Sequence, residues 1–291
     1  MPLQLARVRA YAKVNLDLRV LGPRADGYHE IRSLFQTIAL HDTLWFSRVR
    51  GPLRITSTDP DLPTGAGNIV WKAARLVWAA GGRGGDPRGL SVRIVKRIPV
   101  QAGLGGGSSD AAAALVALDR LWNARLSPAD LHRLAASLGS DVPFFLAGGT
   151  ALGAGRGDVL YPLPDLPARF VVVARPREGV STAEAYRWLA AARGGPGRLQ
   201  QLAVPWFPSQ TAVRNDFERV VFARLPAAAR LRRVLARAGA ELAMLSGSGS
   251  AVFGLFERER EARRAAGLLG TSAAGVWVTR LKPRARRRSA G

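Results

Sequence analysis

The residues best suited to chemistry in this 291-residue chain lie between Pro99 and Ala114, P-V-Q-A-G-L-G-G-G-S-S-D-A-A-A-A. Gly103, Gly105, Gly106 and Gly107 stand directly before Ser108, Ser109 and an alanine-rich run. Upstream, Leu90 to Ile98 reads as a strand. Downstream, Ser108 to Trp122 reads as a helix with Ala111, Ala114, Leu115 and Leu118 facing inward. A strand that enters a glycine-rich turn, followed by a helix, makes an anion site. Glycine lets the backbone approach a ligand closely, and the first N–H groups of a helix lack intrahelical acceptors and sit at the positive end of its dipole. A plain tight turn does not call for three consecutive glycines followed by Ser-Ser-Asp. The commoner phosphate motifs do not fit. No lysine follows the glycines as in G-x-x-x-x-G-K-[ST], Ser108 takes the place of the third glycine of a dinucleotide fingerprint, and H-R-D and D-F-G are absent.

Other reactive side chains lie far away in sequence. Leu5 to Val20 alternates, with Val8, Ala10, Ala12, Val14, Leu16, Leu18 and Val20 on one face. Arg7, Arg9, Tyr11, Lys13, Asn15, Asp17 and Arg19 take the other. Period two means a long half-buried strand, and Arg7 and Arg19 read as its solvated side. Lys13 stands out, because lysine otherwise occurs only at Lys72, Lys96 and Lys282. Tyr28 and His29 follow the turn residues Pro23, Asp26 and Gly27. They offer either a stacking ring and an imidazole to a ligand or an aromatic pin for a hairpin. Asp141, between Gly139 and Val-Pro-Phe-Phe, is either a cap or turn residue or a carboxylate held on an apolar wall. Such a wall would raise its pKa and suit a general base. A second glycine–serine turn, within Ala243 to Phe256, is either a plain hairpin or a further source of N–H groups for the anion.

The elements that must position these residues follow from pattern. Strands are expected over Ile31–Leu40 and Trp45–Thr56, and Asn68 caps a helix over Ile69–Ala80 with Ile69, Ala73, Leu76, Val77 and Ala80 on one face. Ser127-Pro128 starts another helix that ends at Gly139. Gly148 to Leu163 is turn-rich, and Pro162, Pro164 and Pro167 mark a domain junction. A buried strand at Phe170–Ala174 follows, then helices at Val180–Ala191, Asn215–Leu225, Pro226–Ala240 and Glu257–Leu269, and a last strand at Val276–Leu281. The expected domains are residues 1–163 and 164–282, with 283–291 a basic tail that carries no apolar anchor and is expected to be disordered.

Composition narrows the class. Apolar residues make up 47% and charged residues 22%, as in an ordinary soluble globular protein. The absence of cysteine excludes disulfides and thiolate metal sites. No run reaches the length of a membrane span and the N-terminus lacks an apolar signal core, so a cytoplasmic protein is expected. The net charge of +22 comes almost wholly from arginines scattered along the chain. That pattern reads as an arginine-rich surface rather than a nucleic-acid stripe, and it would also attract an anionic nucleotide.

The motifs together resemble those of the GHMP small-molecule kinases, named for galactokinase, homoserine kinase, mevalonate kinase and phosphomevalonate kinase. The matching segments are A-K-V-N-L-D-L at Ala12–Leu18, D-G-Y-H-E-I at Asp26–Ile31, G-L-G-G-G-S-S-D-A-A at Gly103–Ala112 and D-V-P-F-F at Asp141–Phe145. S-T-A-E-A-Y at Ser181–Tyr186 and N-D-F-E at Asn215–Glu218 agree too. The likeness runs from Tyr11 to Phe256 and is strongest to the branch that acts on a cytidine-diphosphate-linked methylerythritol. Departures are small: Asp158 replaces a usual glutamate, and Ser250 stands where proline or alanine is common.

The resemblance implies a two-lobed α/β (α+β) fold, with an N-terminal lobe like ribosomal protein S5 domain 2 and a ferredoxin-like C-terminal lobe. It implies transfer of phosphate from ATP, with Mg2+, to the tertiary 2-hydroxyl of the cytidyl substrate in non-mevalonate isoprenoid synthesis. Pro99, Val100, Gln101, Ala102, Gly103, Leu104, Gly105, Gly106, Gly107, Ser108 and Ser109 would hold ATP. Asp141 would be the general base and Lys13 its charge partner. Asn15, Tyr28, His29, Thr182 and Tyr186 would bind the acceptor, two aromatics sandwiching the cytosine while the histidine bonds its edge. Ser108 and Ser109 are the candidate metal ligands. Another small alcohol, homoserine or mevalonate, is the alternative acceptor within the family, and a basic nucleic-acid-binding protein is the alternative outside it.

Overall fold

The computed structural model describes residues 4–193 and 213–285. The chain runs β1 (Gln4–Pro23), β2 (His29–Pro52), β3 (Arg54–Ser57), α1 (Ile69–Ala80), β4 (Arg88–Val95), α2 (Gly106–Trp122), α3 (Pro128–Leu138) and α4 (Val142–Ala147). It continues with β5 (Thr150–Ala154), β6 (Val159–Leu163), β7 (Phe170–Arg175), α5 (Thr182–Arg193), α6 (Glu218–Arg224) and α7 (Pro226–Arg237). The last elements are β8 (Leu242–Leu245), β9 (Val252–Phe256), α8 (Glu259–Leu269) and β10 (Gly275–Arg280). They form two compact units that interleave along the chain. The first comprises residues up to Ala12, His41–Ile98 and Gly105–Ala147; the second comprises Lys13–Leu40, Pro99–Leu104 and the chain from Gly148.

In the first unit β2 pairs antiparallel with β4, Leu44 opposite Ile94 and Phe46 opposite Val92, and β3 lies parallel to β4. A parallel pair needs a crossover, and α1 supplies it. Asn68 caps α1, accepting the N–H of Val70 at 2.8 Å. The buried face of α1 is Val70, Ala73, Ala74 and Val77, whereas Ala80 is exposed. The expected stripe was therefore rotated by part of a turn. Alanines 111 and 114 of α2 are fully buried with Leu115 and Leu118, which lets the helix lie close to its neighbours. Ser127 and Asp130 cap α3 reciprocally, each side chain accepting from the other's backbone N–H.

In the second unit β10, β7, β9 and β8 form an antiparallel sheet in that order. Read in chain order from β7, this is the split β-α-β pattern of a ferredoxin-like fold. Val172, Ala174, Val252 and Phe256 face Leu231, Leu235, Ala262 and Ala265 from α7 and α8 in one core. Ser33–Gln36 of β2 pairs with β5, which turns back as β6. The turn-rich stretch from Gly148 to Leu163 is thus a hairpin.

Three further expectations need correcting. The predicted strands Ile31–Leu40 and Trp45–Thr56 are instead one long strand, β2, followed by the short β3. No breaker stands between Leu40 and Trp45, so pairing continues. Arg19 is not on a solvated face: it is buried, and its Nε donates to Asp17 Oδ1 at 2.9 Å. The tail is anchored at its start. Lys282 N donates to Thr37 O at 2.8 Å, and Arg284 donates to the carbonyls of Gly148 and Thr150 at 3.3 and 2.8 Å. Residues 286–291 of that predicted tail lie outside the described residues.

Candidate active site

The glycine loop leaves the first unit after Ile98 and rejoins it at Gly105. Its apex is held by what it buries. Ala102 and Leu104 are 2% and 1% exposed, while Val100 and Gln101 face outward. These two apolar side chains anchor the apex. The turn of the β8–β9 hairpin packs on the same segment. Ser246 Oγ donates to Gly103 O at 3.0 Å, and Ala251 N donates to Ala102 O at 3.3 Å. Gly103 has φ +72°, and a Cβ there would overlap the Ser246 carbonyl oxygen. Only glycine fits, for backbone conformation and for space. The second glycine–serine turn is therefore a hairpin that buttresses the loop, with at least one of its N–H groups engaged by a loop carbonyl.

On the return to the first unit, Gly105 adopts φ +70° and provides no side-chain cap to α2. Among the described residues, no N-cap side chain occupies the opening amides of α2, which suits an anion site. Gly107 is exposed and Ser108 half-buried, whereas Ser109 and Asp110 are buried. Beneath this turn lies a cluster that the sequence reading missed. Lys96 Nζ donates to Asp42 Oδ2 at 2.5 Å and to Asp110 Oδ2 at 2.9 Å. Burial pushes the Asp110 carboxyl up to about 7, with Asp42 adding to the rise and Lys96 opposing it. Burial opposes the charge on Lys96, but the two carboxylates outweigh it and raise its pKa. Asp141 belongs to this unit. It is half-buried, immediately before α4, and Val142, Pro143 and Phe144, which follow it in the chain, are buried.

The polar side of β1 belongs to the second unit from Lys13 onward. Lys13 and Asn15 are 3% and 2% exposed. Lys13 Nζ donates to Asn15 Oδ1 at 2.7 Å, Asn15 Nδ2 donates to Ser33 Oγ at 2.7 Å, and Ser33 Oγ donates to the Asp17 carbonyl at 2.8 Å. This relay fixes the ammonium, which also lies 5.6 Å from the centre of the Phe35 ring. Lys13 N donates to Leu104 O at 3.0 Å, so strand and loop apex are joined directly.

Among the acceptor-site candidates, Tyr28 is 52% exposed and Arg156 lies 4.8 Å over its ring. Asp158 holds that guanidinium through two nitrogens at 2.8 and 3.1 Å. His29 is half-buried, 4.6 Å from the ring of Tyr186, which itself meets Phe217 edge-on at 4.9 Å. The structure thus brings Tyr186 to His29 and puts Arg156 beside Tyr28. Thr182 Oγ1 is 3.1 Å from Ser248 Oγ, linking the start of α5 to the buttressing turn. Ser33 and Asp42 went unrecognised because their partners are remote in sequence, and Arg156, although paired locally with Asp158, because the Tyr28 ring it covers is remote. The compact G-R-G-D turn around Arg156 was the only signal available.

Residues 68–149 match the family model for the GHMP kinases N terminal domain, and residues 206–269 match GHMP kinases C terminal. The chain belongs to the GHMP kinases, and it is an ATP-dependent small-molecule kinase. It is 50% identical over 275 residues to the 4-diphosphocytidyl-2-C-methyl-D-erythritol kinase of Solibacter usitatus, covering 91% of this chain and 85% of that one. A crystal structure of 4-(cytidine 5'-diphospho)-2C-methyl-D-erythritol kinase superposes with a TM-score of 0.80 at 38% identity, covering 95% and 99% of the two chains. A mevalonate kinase structure superposes with a TM-score of 0.68 at 14% identity, over 96% of this chain and 100% of that one, a likeness of fold alone. Among the described residues, no helix is long and apolar enough to cross a membrane.

The Asp110 carboxyl yields a stability prediction. Its pKa is raised on folding from 3.8 to about 7, so its contribution is complete below pH 3.8 and is lost as the pH rises to about 7. In Asp110→Asn this titration is gone. Chemical denaturation over a pH series should show wild type losing ground to Asp110→Asn between those two values, with a constant difference above them. A difference independent of pH would contradict the assigned burial.

Proposed function

We propose that this kinase phosphorylates the 2-hydroxyl of 4-diphosphocytidyl-2-C-methyl-D-erythritol, using ATP, in the non-mevalonate route to isoprenoid precursors in the cytoplasm. The observation that carries the proposal is the 50% identity, across 91% of the chain, to a kinase named for that substrate. The exposed Tyr28 ring beside His29 supports it, because a pyrimidine base needs a flat apolar face and a polar edge.

In this mechanism the backbone N–H groups at the start of α2 receive the phosphates of ATP. Asp141 takes the proton of the acceptor hydroxyl, and Lys13, fixed by Asn15, stands beside the same oxygen. A neighbouring cation keeps the base ionised and balances charge on the oxygen as the proton leaves. Phosphoryl transfer calls mostly for positioning and charge stabilisation, and fixed dipoles supply both. Tyr28, Tyr186 and His29 hold the cytosine, while Asn15 and Thr182 bind the rest of the acceptor. No three His, Cys, Asp or Glu side chains converge among the described residues. A Mg2+ ion accompanying the ATP phosphates would be held by a hydroxyl at the start of α2, Ser108, half-buried there, or Ser109, which is buried. When bound, Mg2+ neutralises charge on the phosphates.

A coupled ADP-release assay with a panel of alcohols tests the substrate. Turnover is expected with the cytidyl substrate, and turnover with mevalonate or homoserine but not with it would overturn the proposal. Asp141→Asn should keep ATP binding and lower kcat by about 10²- to 10⁴-fold; full activity would remove the base assignment. Tyr28→Ala should raise KM for the cytidyl substrate about tenfold and leave KM for ATP unchanged. An effect on ATP alone would refute the stacking role.

A further inference from the structure

We propose that the buried Asp42–Lys96–Asp110 cluster is a positioning device, a clasp that holds the two ends of the glycine loop so that the first amides of α2 meet the nucleotide's phosphates. The inference rests on the reading of the glycine loop as the phosphate seat.

Lys96, Arg97 and Ile98 are the last residues before the loop, and Asp110 is in the opening turns of the helix after it. Asp42, on β2, takes hold of the entry. Its Oδ1 accepts the N–H of Arg97 at 2.5 Å and of Ile98 at 2.9 Å, and its Oδ2 accepts Lys96 Nζ. The same ammonium then reaches Asp110 on the exit helix at 2.9 Å. One charge therefore ties strand end to helix start. Between them, Pro99 to Gly105 carry no charged side chain with which to hold the loop.

A lysine close to a glycine loop would ordinarily be read as a phosphate ligand. A Cβ on Gly106 would lie 3.4 Å from Lys96 Nζ, so this one is near enough to suggest it. Its side chain is 7% exposed, however, and the carboxylates it serves are 0% and 3% exposed. Both of its acceptors are thus buried protein groups, and its role is to position. Two carboxyls around one ammonium, with Asp110 Oδ1 buried and lacking a hydrogen-bond partner, are a poor source of stability beside an apolar core. What such a cluster provides is direction: fixed bonds that set the entry and exit of a loop unable to set its own.

Calorimetric binding of ADP and of adenosine separates positioning from general destabilisation, since only ADP reports the phosphate seat. Asp110→Ala should bind ADP about tenfold more weakly and adenosine within about twofold of wild type, because a hydrogen bond to a charged group is lost at the loop end. Asp110→Asn keeps an acceptor for Lys96 and should recover most of that loss. Equal losses for ADP and adenosine, or none for either, would overturn the clasp. Should Asp110→Ala fail to fold, Asp110→Asn decides: a loss of about threefold confined to ADP supports the clasp, and any other pattern overturns it. Gly107→Asp, at an exposed position with room for a side chain, tests the loop itself by setting a carboxylate against the phosphates. If it leaves ADP binding intact, the phosphate-seat reading fails and the clasp with it. If it weakens ADP while the Asp110 variants do not, the clasp alone fails.

Discussion

A loop that binds through its backbone cannot hold itself. Every side chain removed to let a phosphate approach is one that could have packed, and each glycine adds conformational freedom that folding must overcome. The surrounding structure answers this constraint repeatedly. Ala102 and Leu104 are buried as anchors, the Ser246 carbonyl fills the space that a Cβ on Gly103 would need, and Lys13 N holds the Leu104 carbonyl. The glycine–serine hairpin turn and the polar strand β1 are best understood as supports for that loop.

Charge is handled by pairing in both units. A buried ion without partners is costly, so each buried charge sits in a directional set of bonds. Lys96 is shared between Asp42 and Asp110, and Arg19 is paired with Asp17. Lys13 begins a relay through Asn15 and Ser33. The large excess of arginine over acid does not alter these interior sets. It leaves a basic exterior, which favours the approach of anionic nucleotides.

Fold and substrate are separate questions in this family. The chain shares its architecture with a mevalonate kinase at 14% identity, which says nothing about the acceptor. The acceptor reading comes instead from higher identity across nearly the whole chain and from a few side chains, foremost Tyr28 and His29. Arg156, braced by Asp158 over the Tyr28 ring, shows how such a side chain is supported from a different hairpin.

The sequence by itself determined the glycine loop, the strand before it, the helix after it and the cap at Asn68, because these depend on local backbone chemistry and short-range periodicity. It also determined the family, through motifs kept in order. Only the tertiary structure decided what covers each face. Strict alternation in β1 predicted a wet side carrying Arg19, yet from Ala12 to Val20 both sides are buried. Alternation reports that two faces differ in chemistry and cannot report whether a neighbouring strand or hairpin lies on the polar one. The same limit hid the Lys96 cluster and the Arg156 support. Asp42 and Asp110 are 68 residues apart in numbering, and nothing local to either requires the other. Those pairings exist because folding brings remote carboxylates to one buried ammonium, where leaving any of them unpaired would be costly.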